Sequence, residues 1–243
     1  MKIKIVQLIV GKDIPSNKEK IIKELKNAEQ DEWIVFPEAI LSGYYPHETT
    51  YTKGLNWKLI SESLKEIENA VKQNKCHCIV GSATKIKAGW RNRIWVFSYT
   101  KDKVKHDKIQ LSKLDKQHFQ PGKKLQVFKN DKIKFGLQAC RELIYATQWS
   151  KLKKEGAQII FHLNNAVQPQ DALWKHILIA RAVENSIYVV SVNNAESPQE
   201  LASYIISPQG EIIGETGTQI EQVIRCELNL KHVIGNLQDR QDY

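Results

Sequence analysis

Short apolar runs and amphipathic stretches alternate along the chain, and their periods predict its helices and strands. Apolar residues that recur every three or four positions predict helices at 16–30, 57–74, 146–155 and 171–185. We expect the first helix to begin with a capping box formed by Ser16 and Glu19. Alternation or a short apolar run predicts strands at 2–10, 33–36, 78–82, 93–99, 104–108, 125–128, 133–140, 159–163, 189–192, 203–207, 211–214 and 223–228.

The order of these elements predicts an α/β protein with mixed sheets, because helices alternate with apolar strands and several strands form hairpins. The strand and helix rhythm occurs twice, which indicates a four-layer α-β-β-α sandwich of two mixed sheets with the helices outside. No low-complexity linker interrupts residues 1–243, so we expect a single domain. Specificity would then lie in the loops at 39–55, 109–124 and 194–202.

The composition is typical of a globular protein with a sizeable core. Of 243 residues, 42% are hydrophobic and 26% charged, and no apolar run approaches the roughly 18 residues of a membrane span. The net charge of +9 raises the question of nucleic-acid binding. However, the lysines are scattered, often beside Glu or Asp, and no nucleic-acid-binding motif occurs. We therefore expect solvated lysine faces, with neither nucleic acid nor membrane as a partner.

The N-terminal residues alternate like a strand and lack the layout of a signal peptide, so we expect a cytoplasmic protein. Disulfides are then not expected among the four cysteines, which are Cys76, Cys78, Cys140 and Cys226. Cys76-His77-Cys78 contains metal-binding residue types, but it has no second Cys/His pair at zinc spacing. It also begins a predicted strand, in which side chains alternate in direction. We expect no metal and no cofactor.

The strand predicted at 133–140 ends on a cysteine. Its apolar residues alternate at Ile133, Phe135, Leu137 and Ala139. Polar residues follow Cys140, so we expect its thiol at a strand-to-loop corner facing a cleft, beside backbone N–H groups that can stabilise an oxyanion. This position favours Cys140 as a nucleophile. On this segment alone, a small buried hydrophobe at the end of a strand stays the alternative.

A cysteine nucleophile needs a base and an oxyanion stabiliser, and other predicted strand ends supply candidates. Glu38 follows an apolar strand directly after Pro37, where burial would raise its pKa toward that of a useful base. Lys108 lies where a strand gives way to a loop; it could bind an oxyanion or be one surface lysine among many. Of the seven histidines, His162 lies near a strand end, but no Cys-His-Asn or Cys-His-Asp layout stands out.

Three segments at predicted strand ends together resemble a known pattern. They are Phe36-Pro37-Glu38 with Gly43-Tyr44, Lys108-Ile109-Gln110-Leu111, and Cys140-Arg141-Glu142. The acid, the lysine and the cysteine are separated by 70 and then 32 residues. Further matches are Phe119-Gln120-Pro121-Gly122, Arg181-Ala182-x-Glu184-Asn185 and Ser207-Pro208-x-Gly210. In this order, and over essentially the whole chain, the segments resemble the nitrilase or carbon–nitrogen hydrolase superfamily.

The resemblance implies catalytic residues. Glu38 would be the general base for Cys140, and Lys108 with the backbone N–H of Arg141 would bind the oxyanion while a thioester acyl-enzyme forms. Asp115 aligns with a second family glutamate that is one methylene longer, which leaves open whether it reaches Lys108 or the leaving group.

The resemblance also places supporting residues. Tyr44 and Asn165 are expected as walls of the substrate pocket. We expect Glu142 to anchor the turn after the cysteine, and Arg181 and Glu184, three apart on a helix, to form a structural pair.

The expected substrate is a small linear amide, hydrolysed with water. Nitrile-cleaving members resemble one another in placing Trp-Glu after the cysteine, and Arg141 replaces that Trp here. An N-carbamoyl hydrolase or a nitrilase is the alternative, and Asp115 is the one feature that favours a catalytically weak binding or regulatory module. The Arg141 side chain could bind a substrate carboxylate or pair with an acid. A homodimer or larger homo-oligomer is expected, although the tail that the family swaps between subunits is short here.

Overall fold

The computed structural model describes residues 1–130, 133–166 and 171–230. The strands in these ranges are β1 (Lys2–Gln7), β2 (Trp33–Val35), β3 (His77–Ile86), β4 (Gly89–Ser98), β5 (Val104–Asp107), β6 (Phe128–Asn130), β7 (Ile133–Ala139), β8 (Ile159–Leu163), β9 (Tyr188–Val192), β10 (Tyr204–Ile206), β11 (Ile212–Glu215) and β12 (Gln222–Glu227). The α-helices are α1 (Ile14–Lys26), α2 (Trp57–Gln73), α3 (Ala146–Lys154) and α4 (Asp171–Asn185). Short 3₁₀ turns lie at Tyr51–Lys53, Asp115–Gln117 and Cys140–Ile144.

The described strands form two six-stranded mixed sheets of matching design. The first has the order β12-β1-β2-β3-β4-β5 and the second the order β11-β10-β9-β8-β7-β6. In each sheet three consecutive strands are parallel, β1-β2-β3 and β7-β8-β9, and the outer strands are antiparallel. Because parallel strands place their carboxyl ends at one edge, the loops that follow β2 and β7 are well placed to build a site.

Three apolar layers separate the sheets and helices. Between the sheets, Trp33 stacks on Phe161 with ring centroids 5.6 Å apart, within a continuous apolar cluster from both sheets. On the outer face of the first sheet α1 and α2 bury Ile21 and Ile67. On the outer face of the second sheet α3 and α4 bury residues such as Trp149. The predicted α-β-β-α sandwich is confirmed.

The start of α1 differs from the prediction. The helix begins at Ile14, and Asp13 is its N-cap, with a side-chain oxygen that accepts from the Ser16 N–H at 2.9 Å. Ser16 and Glu19 were expected to cap this helix, but Asp13 and Pro15 upstream form an equally good start. Asp13 and Ser16 lie three positions apart and are both good N-cap residues, and the helix begins at the earlier one, which makes it longer at this end.

Other boundaries shift by a few residues. The hairpin of β3 and β4 is longer than predicted, and the strand predicted at 125–128 lies at Phe128–Asn130. The turn expected after this strand and the polar tail fall largely in 131–132 and 231–243, outside the described residues. None of the helices in the described ranges has both the length and the apolar character that crossing a bilayer requires.

The Cys76-His77-Cys78 segment divides its side chains between two layers. His77 stacks on Trp33 between the sheets, with centroids 4.5 Å apart, and its Nδ1 lies 3.0 Å from Ser98 Oγ. Cys76 and Cys78 pack in the cluster beneath α1 and α2. The predicted alternation of direction therefore holds, and these three side chains do not converge on one point.

Candidate active site

Strand ends from both sheets meet around a buried lysine. Glu38 follows β2, Lys108 follows β5 and Cys140 follows β7. The Nζ atom of Lys108 lies 2.9 Å from Oε1 of Glu38 and 2.9 Å from Oδ2 of Asp115. Lys108 is 1% exposed, and both carboxylates are fully buried. Buried charges are tolerated when they compensate one another, as they do in this cluster.

A close approach between chain segments fixes Glu38. A Cβ at Gly81 would lie 2.3 Å from the nitrogen of Ala39, so β3 can pass this close only with glycine. The Glu38 N–H donates to the Asn164 carbonyl at 3.2 Å, which joins the carboxyl ends of β2 and β8. Asn92 Nδ2 donates to Oε1 of Glu38 at 2.8 Å. The other carboxylate oxygen of Glu38, Oε2, has no hydrogen-bond partner among the described residues and stays available to accept a proton.

The backbone of Lys108 is fixed on both sides. Its N–H donates to the Asn92 carbonyl at 2.9 Å, and its carbonyl accepts from the Gly122 N–H at 2.8 Å. A Cβ at Gly122 would lie 2.0 Å from the Asp107 oxygen, so this contact also requires glycine. An ammonium has three N–H donors. Since two carboxylates occupy two of them, one donor of Lys108 is left for another group.

Cys140 occupies a strained corner at the end of β7. Its φ is +44°, in the left-handed region that non-glycine residues adopt at a cost of about 1–3 kcal/mol. Cys140 is half-buried, and it is the first residue of the 3₁₀ turn Cys140–Ile144. The backbone N–H of Asn165 donates to Asn164 Oδ1 at 3.1 Å, and His162 Nε2 donates to the Cys140 carbonyl at 2.9 Å. The predicted strand-to-loop corner is therefore present.

Glu142 anchors the turn, as predicted from the sequence. Its Oε2 accepts from the Ala139 N–H at 2.8 Å and lies 2.9 Å from His106 Nε2, while its Oε1 accepts from the Ile109 N–H at 2.7 Å. Burial would raise the pKa of Glu142, but His106 and these backbone donors outweigh it and lower the pKa below 4.5. One carboxylate thus ties the cysteine turn to the lysine loop.

The helix pair predicted between Arg181 and Glu184 is also confirmed, with Nη1 to Oε1 at 2.8 Å. Arg181 Nε donates to the Leu143 carbonyl at 3.0 Å, which fastens α4 to the end of the same turn. This arginine therefore supports the site from outside.

Burial sets the protonation states of the cluster. Burial, and then the charge of Glu38, raises the pKa of the Cys140 thiol to about 12, although Lys108 opposes this. Burial also raises the pKa of Glu38 above 4.5, again against the effect of Lys108. For Lys108, burial alone would lower the pKa, but the surrounding anionic groups, Glu38 first, hold it well above 10.5. At neutral pH the thiol is protonated and the lysine charged.

Asp115 reaches Lys108 despite its short side chain. Tyr44 Oη donates to Oδ1 of Asp115 at 2.6 Å, and the Ser112 N–H donates to Oδ2 at 3.1 Å. Burial would raise the pKa of Asp115, but Lys108 and the Tyr44 hydroxyl lower it below 3.8. Asp115 is therefore the ionised partner of Lys108, held by a tyrosine that also lines the cavity described next.

A cavity of about 290 Å³ opens onto the thiol. Its lining includes Tyr44, Lys108, Cys140, Arg141, Asn165 and Trp174. The volume is at the small end of the range for small-molecule sites. A second cavity of about 570 Å³ adjoins it and shares Tyr44 and Asn165. The cluster or the lining of this cavity thus contains every residue that was expected in catalysis, in oxyanion binding or in the pocket wall: Glu38, Tyr44, Lys108, Asp115, Cys140, Arg141 and Asn165.

Sequence reasoning missed several supporting residues. Asn92, which contacts both Glu38 and Lys108, lies next to a predicted strand, and no local signal marks it. Gly81 lies inside a strand, where an isolated glycine is a signal of close backbone approach that could have been used. His106, the partner of Glu142, follows the alternation of β5 and was not distinguishable from a core histidine.

The chain belongs to the carbon–nitrogen hydrolase family, which it matches over residues 12–235. It is 28% identical over 255 aligned residues to the omega-amidase NIT2 of Xenopus tropicalis, covering 96% of this chain and 90% of that protein. It is 25% identical to a hydrolase of the agr operon in Staphylococcus aureus, covering 96% of this chain and 93% of that one. The resemblance drawn from the sequence is therefore confirmed, and the class of protein is a carbon–nitrogen hydrolase.

Solved structures agree on the fold. An amidase from Nesterenkonia sp. superimposes with a TM-score of 0.85 at 18% sequence identity, covering 99% of this chain and 93% of that chain. In a variant of that amidase, the acetamide moiety of fluoroacetamide is covalently added at the active-site cysteine.

Proposed function

We propose that this chain is an amidase that hydrolyses a small linear amide through a thioester on Cys140. The observation that carries the proposal is the buried contact of Lys108 with Glu38 and Asp115 beside a half-buried thiol. A thiol with a pKa of about 12 needs a base at the moment of attack. Oε2 of Glu38, which has no hydrogen-bond partner in the part of the chain that the structure describes, supplies a proton acceptor in the same cluster.

In the first half of the reaction, the sulfur of Cys140 attacks the amide carbon and its proton passes to Glu38. The carbonyl π electrons move to oxygen, which Lys108 Nζ and the backbone N–H of Arg141 stabilise as an oxyanion. When the C–N bond breaks, the electron pair leaves with nitrogen, and Glu38 returns the proton so that ammonia departs. The acyl group stays on sulfur as a thioester.

In the second half, Glu38 accepts a proton from a water molecule that attacks the thioester carbon. The second tetrahedral intermediate uses the same two donors, and its collapse breaks the C–S bond. The thiolate of Cys140 regains a proton from Glu38, and the acid product leaves. Because Glu38 and Cys140 exchange one proton next to a charged lysine, the cluster titrates as a unit.

An amide is favoured over the other substrates of the family. The omega-amidase NIT2 of Xenopus tropicalis and the Nesterenkonia enzyme are both named as amidases. The first aligns with 96% of this chain and the second superimposes on 99% of it. Nitrile-cleaving members of the family resemble one another in having tryptophan directly after the cysteine, and Arg141 occupies that position in this chain. Asp115, the feature that raised a catalytically weak module, contacts Lys108 at 2.9 Å, which supports an active enzyme.

Thiol labelling tests the nucleophile. A haloacetamide has the shape of a small amide, so we expect it to modify Cys140 before Cys226 and before the buried Cys76 and Cys78, as read by peptide mass mapping. Cys140→Ser should fold as the wild type does and lose ammonia release from short amides by several orders of magnitude. Preferred labelling elsewhere, or unchanged turnover by Cys140→Ser, would show that the assignment is wrong.

We further propose one domain over residues 1–243, a cytoplasmic location and a homodimer or larger homo-oligomer. The apolar layer shared by both sheets supports one domain, and four free cysteines among the described residues fit a reducing compartment. Light scattering with size-exclusion chromatography measures the oligomer, and cell fractionation measures the location.

A further inference from the structure

A cavity of about 510 Å³ lies along the edge strand β5. It shares no described lining residue with the two cavities beside Cys140. Its described lining carries five cations and one anion, which are Arg91, Lys103, Lys105, Lys123 and Lys124, with Asp107. We call it the cationic cavity.

The carboxylates near this cavity are already shared between cations. Asp107 accepts from Arg91 Nη1 at 2.5 Å and from the buried Arg93 Nε at 2.5 Å. Burial would raise the pKa of Asp107, but Arg93 and Arg91 hold it below 3.8. Glu68, which pairs with Lys103 at 2.7 Å, also pairs with a second lysine on α2 at 3.1 Å. Neither carboxylate therefore has charge left to balance a further lysine.

Three lysines of the cavity stay without a counterion. Lys105, Lys123 and Lys124 are exposed, and none of them makes an ion pair or a hydrogen bond within the residues that the structure describes. Exposed lysines elsewhere on the chain do pair, such as Lys2 with Glu29 at 2.7 Å. Like charges that line one cavity repel one another, and an anion bound between them would remove that repulsion.

The main chain holds these lysines at the cavity. The Gly122 N–H donates to the Lys108 carbonyl at 2.8 Å, and a Cβ at Gly122 would lie 2.0 Å from the Asp107 oxygen. The segment that begins with Lys123 therefore starts in close contact with the end of β5, the strand that carries Lys105. Because the backbone of both segments is fixed, an anion can bind without first ordering a loop.

The charges of the cavity suit a chain of phosphate groups. Lysine ammonium groups bind phosphate oxygens as point charges, and a phosphate chain carries several negative charges within a short length. A single carboxylate would balance only one of the three lysines. A volume of about 510 Å³ lies within the range of small-molecule sites.

An aromatic hollow adjoins the cationic cavity. It has a volume of about 160 Å³, is lined by Trp57, Trp95 and Phe97 among others, and shares Lys103 with the cationic cavity. Tryptophan is a good stacking surface for a nucleobase. A base in this hollow would therefore lie next to phosphates bound by the lysines.

We propose that the cationic cavity binds the phosphate chain of a small molecule, supplied either by inorganic polyphosphate or by a nucleoside triphosphate. The aromatic hollow favours the nucleotide. The site does not depend on the proposed amidase function, because it shares no described lining residue with the cavities at the thiol.

Calorimetry with the full chain, in a buffer without divalent metal ions, tests the site and separates the two sources. The probes are sodium triphosphate, ATP and adenosine. We expect triphosphate to bind with one molecule per chain, ATP to bind more tightly because its base stacks, and adenosine not to bind. ATP and triphosphate of equal affinity would support the site with inorganic polyphosphate as its ligand. Absent binding of both, or adenosine binding as tightly as ATP, would overturn the proposal.

Variants locate the binding. Lys123→Gln/Lys124→Gln removes two of the unbalanced charges and should weaken triphosphate binding about 5- to 30-fold, and Lys105→Gln alone about 2- to 5-fold. The matched control is Lys53→Gln/Lys154→Gln, which changes the net charge equally: both lysines are exposed, lie outside the cavity and have no ion pair among the described residues. The control should bind as the wild type does. An equal loss in both double variants would mean that triphosphate is attracted by the overall charge, and the cavity would not be its site.

Discussion

His162 donates from Nε2 to the main-chain carbonyl of Cys140 at 2.9 Å. A carbonyl cannot donate, so Nε2 carries the proton, and Nδ1 accepts from Ser191 Oγ at 2.9 Å. Burial lowers the pKa of His162 to about 4, which keeps the ring neutral at working pH. This histidine therefore holds the strained corner, and both of its nitrogens are engaged, so neither is left to deprotonate the thiol.

His162→Leu tests this positioning function. The carbonyl of Cys140 and the Ser191 hydroxyl both lose a partner, so we expect the free energy of unfolding to fall by about 1–3 kcal/mol, measured by urea denaturation. A misplaced thiol should cost up to about 10²-fold in kcat, much less than Cys140→Ser. His162→Gln, which can still donate to the carbonyl, should recover part of both. A stable His162→Leu as inactive as Cys140→Ser would instead make His162 the base.

Glu38→Gln tests the proposed base. The amide keeps an acceptor oxygen for Asn92 and Lys108 but cannot take the thiol proton. We expect kcat to fall by about 10²- to 10⁴-fold, measured as ammonia release, with little change in binding of an unreactive amide analogue. Retention of more than about a tenth of the wild-type kcat would contradict the assignment.

Glu142→Gln is the matched control for Glu38→Gln, because both residues are fully buried carboxylates next to the same loops. Glu142 accepts from backbone N–H groups on both segments, so its variant should lose about 1.5–3 kcal/mol of stability. The two variants thus separate a carboxylate that holds structure from one that moves a proton.

Those parts of the fold and site that depend on local pattern could be predicted from the sequence. Glu38 and Cys140 each end an apolar strand, and a polar residue there has to face a site or solvent. The layers could be predicted in the same way, because the hydrophobic period of each helix or strand indicates which of its faces is buried. The start of α1 was wrong because Asp13 and Ser16 are equally good caps, and only the packed helix decides between them.

The remaining site residues depend on contacts between distant segments. Asn92 reaches Glu38 because β3 pairs with β4 in one register, and Asn194 Nδ2 donates to Asn165 Oδ1 at 3.2 Å although 29 residues separate them. Neither relationship has a local period. The Arg141 side chain could be read as a candidate, but whether an acid pairs with it depends on which loops meet at the cavity.

Two substitutions at Asp115 test why aspartate stands where the family has glutamate. Asp115→Asn removes one of the two negative charges on Lys108 and should lower kcat about 10- to 100-fold. Asp115→Glu inserts a methylene into a fully buried site bounded by Tyr44 and Ser112, so we expect a loss of about 1–3 kcal/mol of stability and no gain in activity. Urea denaturation and ammonia release measure both. An Asp115→Glu variant that is stable and faster would mean that the short side chain limits this enzyme.

Stability at acid pH follows from Glu142 and Asp115. Their folded pKa values lie below the usual 4.5 and 3.8, so the stability they contribute is present above those values and is lost as pH falls through the folded ones. Glu38 has a raised pKa and acts in the opposite sense: its contribution is present below 4.5 and is lost as pH rises through the folded value. The contribution of Glu38 changes mainly above pH 4.5, whereas those of Glu142 and Asp115 change below 4.5 and 3.8, so we expect the free energy of unfolding to fall between about pH 5 and pH 3.

The acid effect has a clear control in Glu142→Gln, which is less stable at neutral pH but lacks one titrating group. Its free energy of unfolding should fall less than that of the wild type over the same interval, by about 1–3 kcal/mol, in urea titrations at several pH values. Glu38→Gln should show the reverse, a steeper fall, because it removes the group that gains stability on protonation. Parallel curves for all three proteins would mean that these carboxylates keep their ordinary pKa values in the folded chain, and the electrostatic account of the cluster would then be wrong.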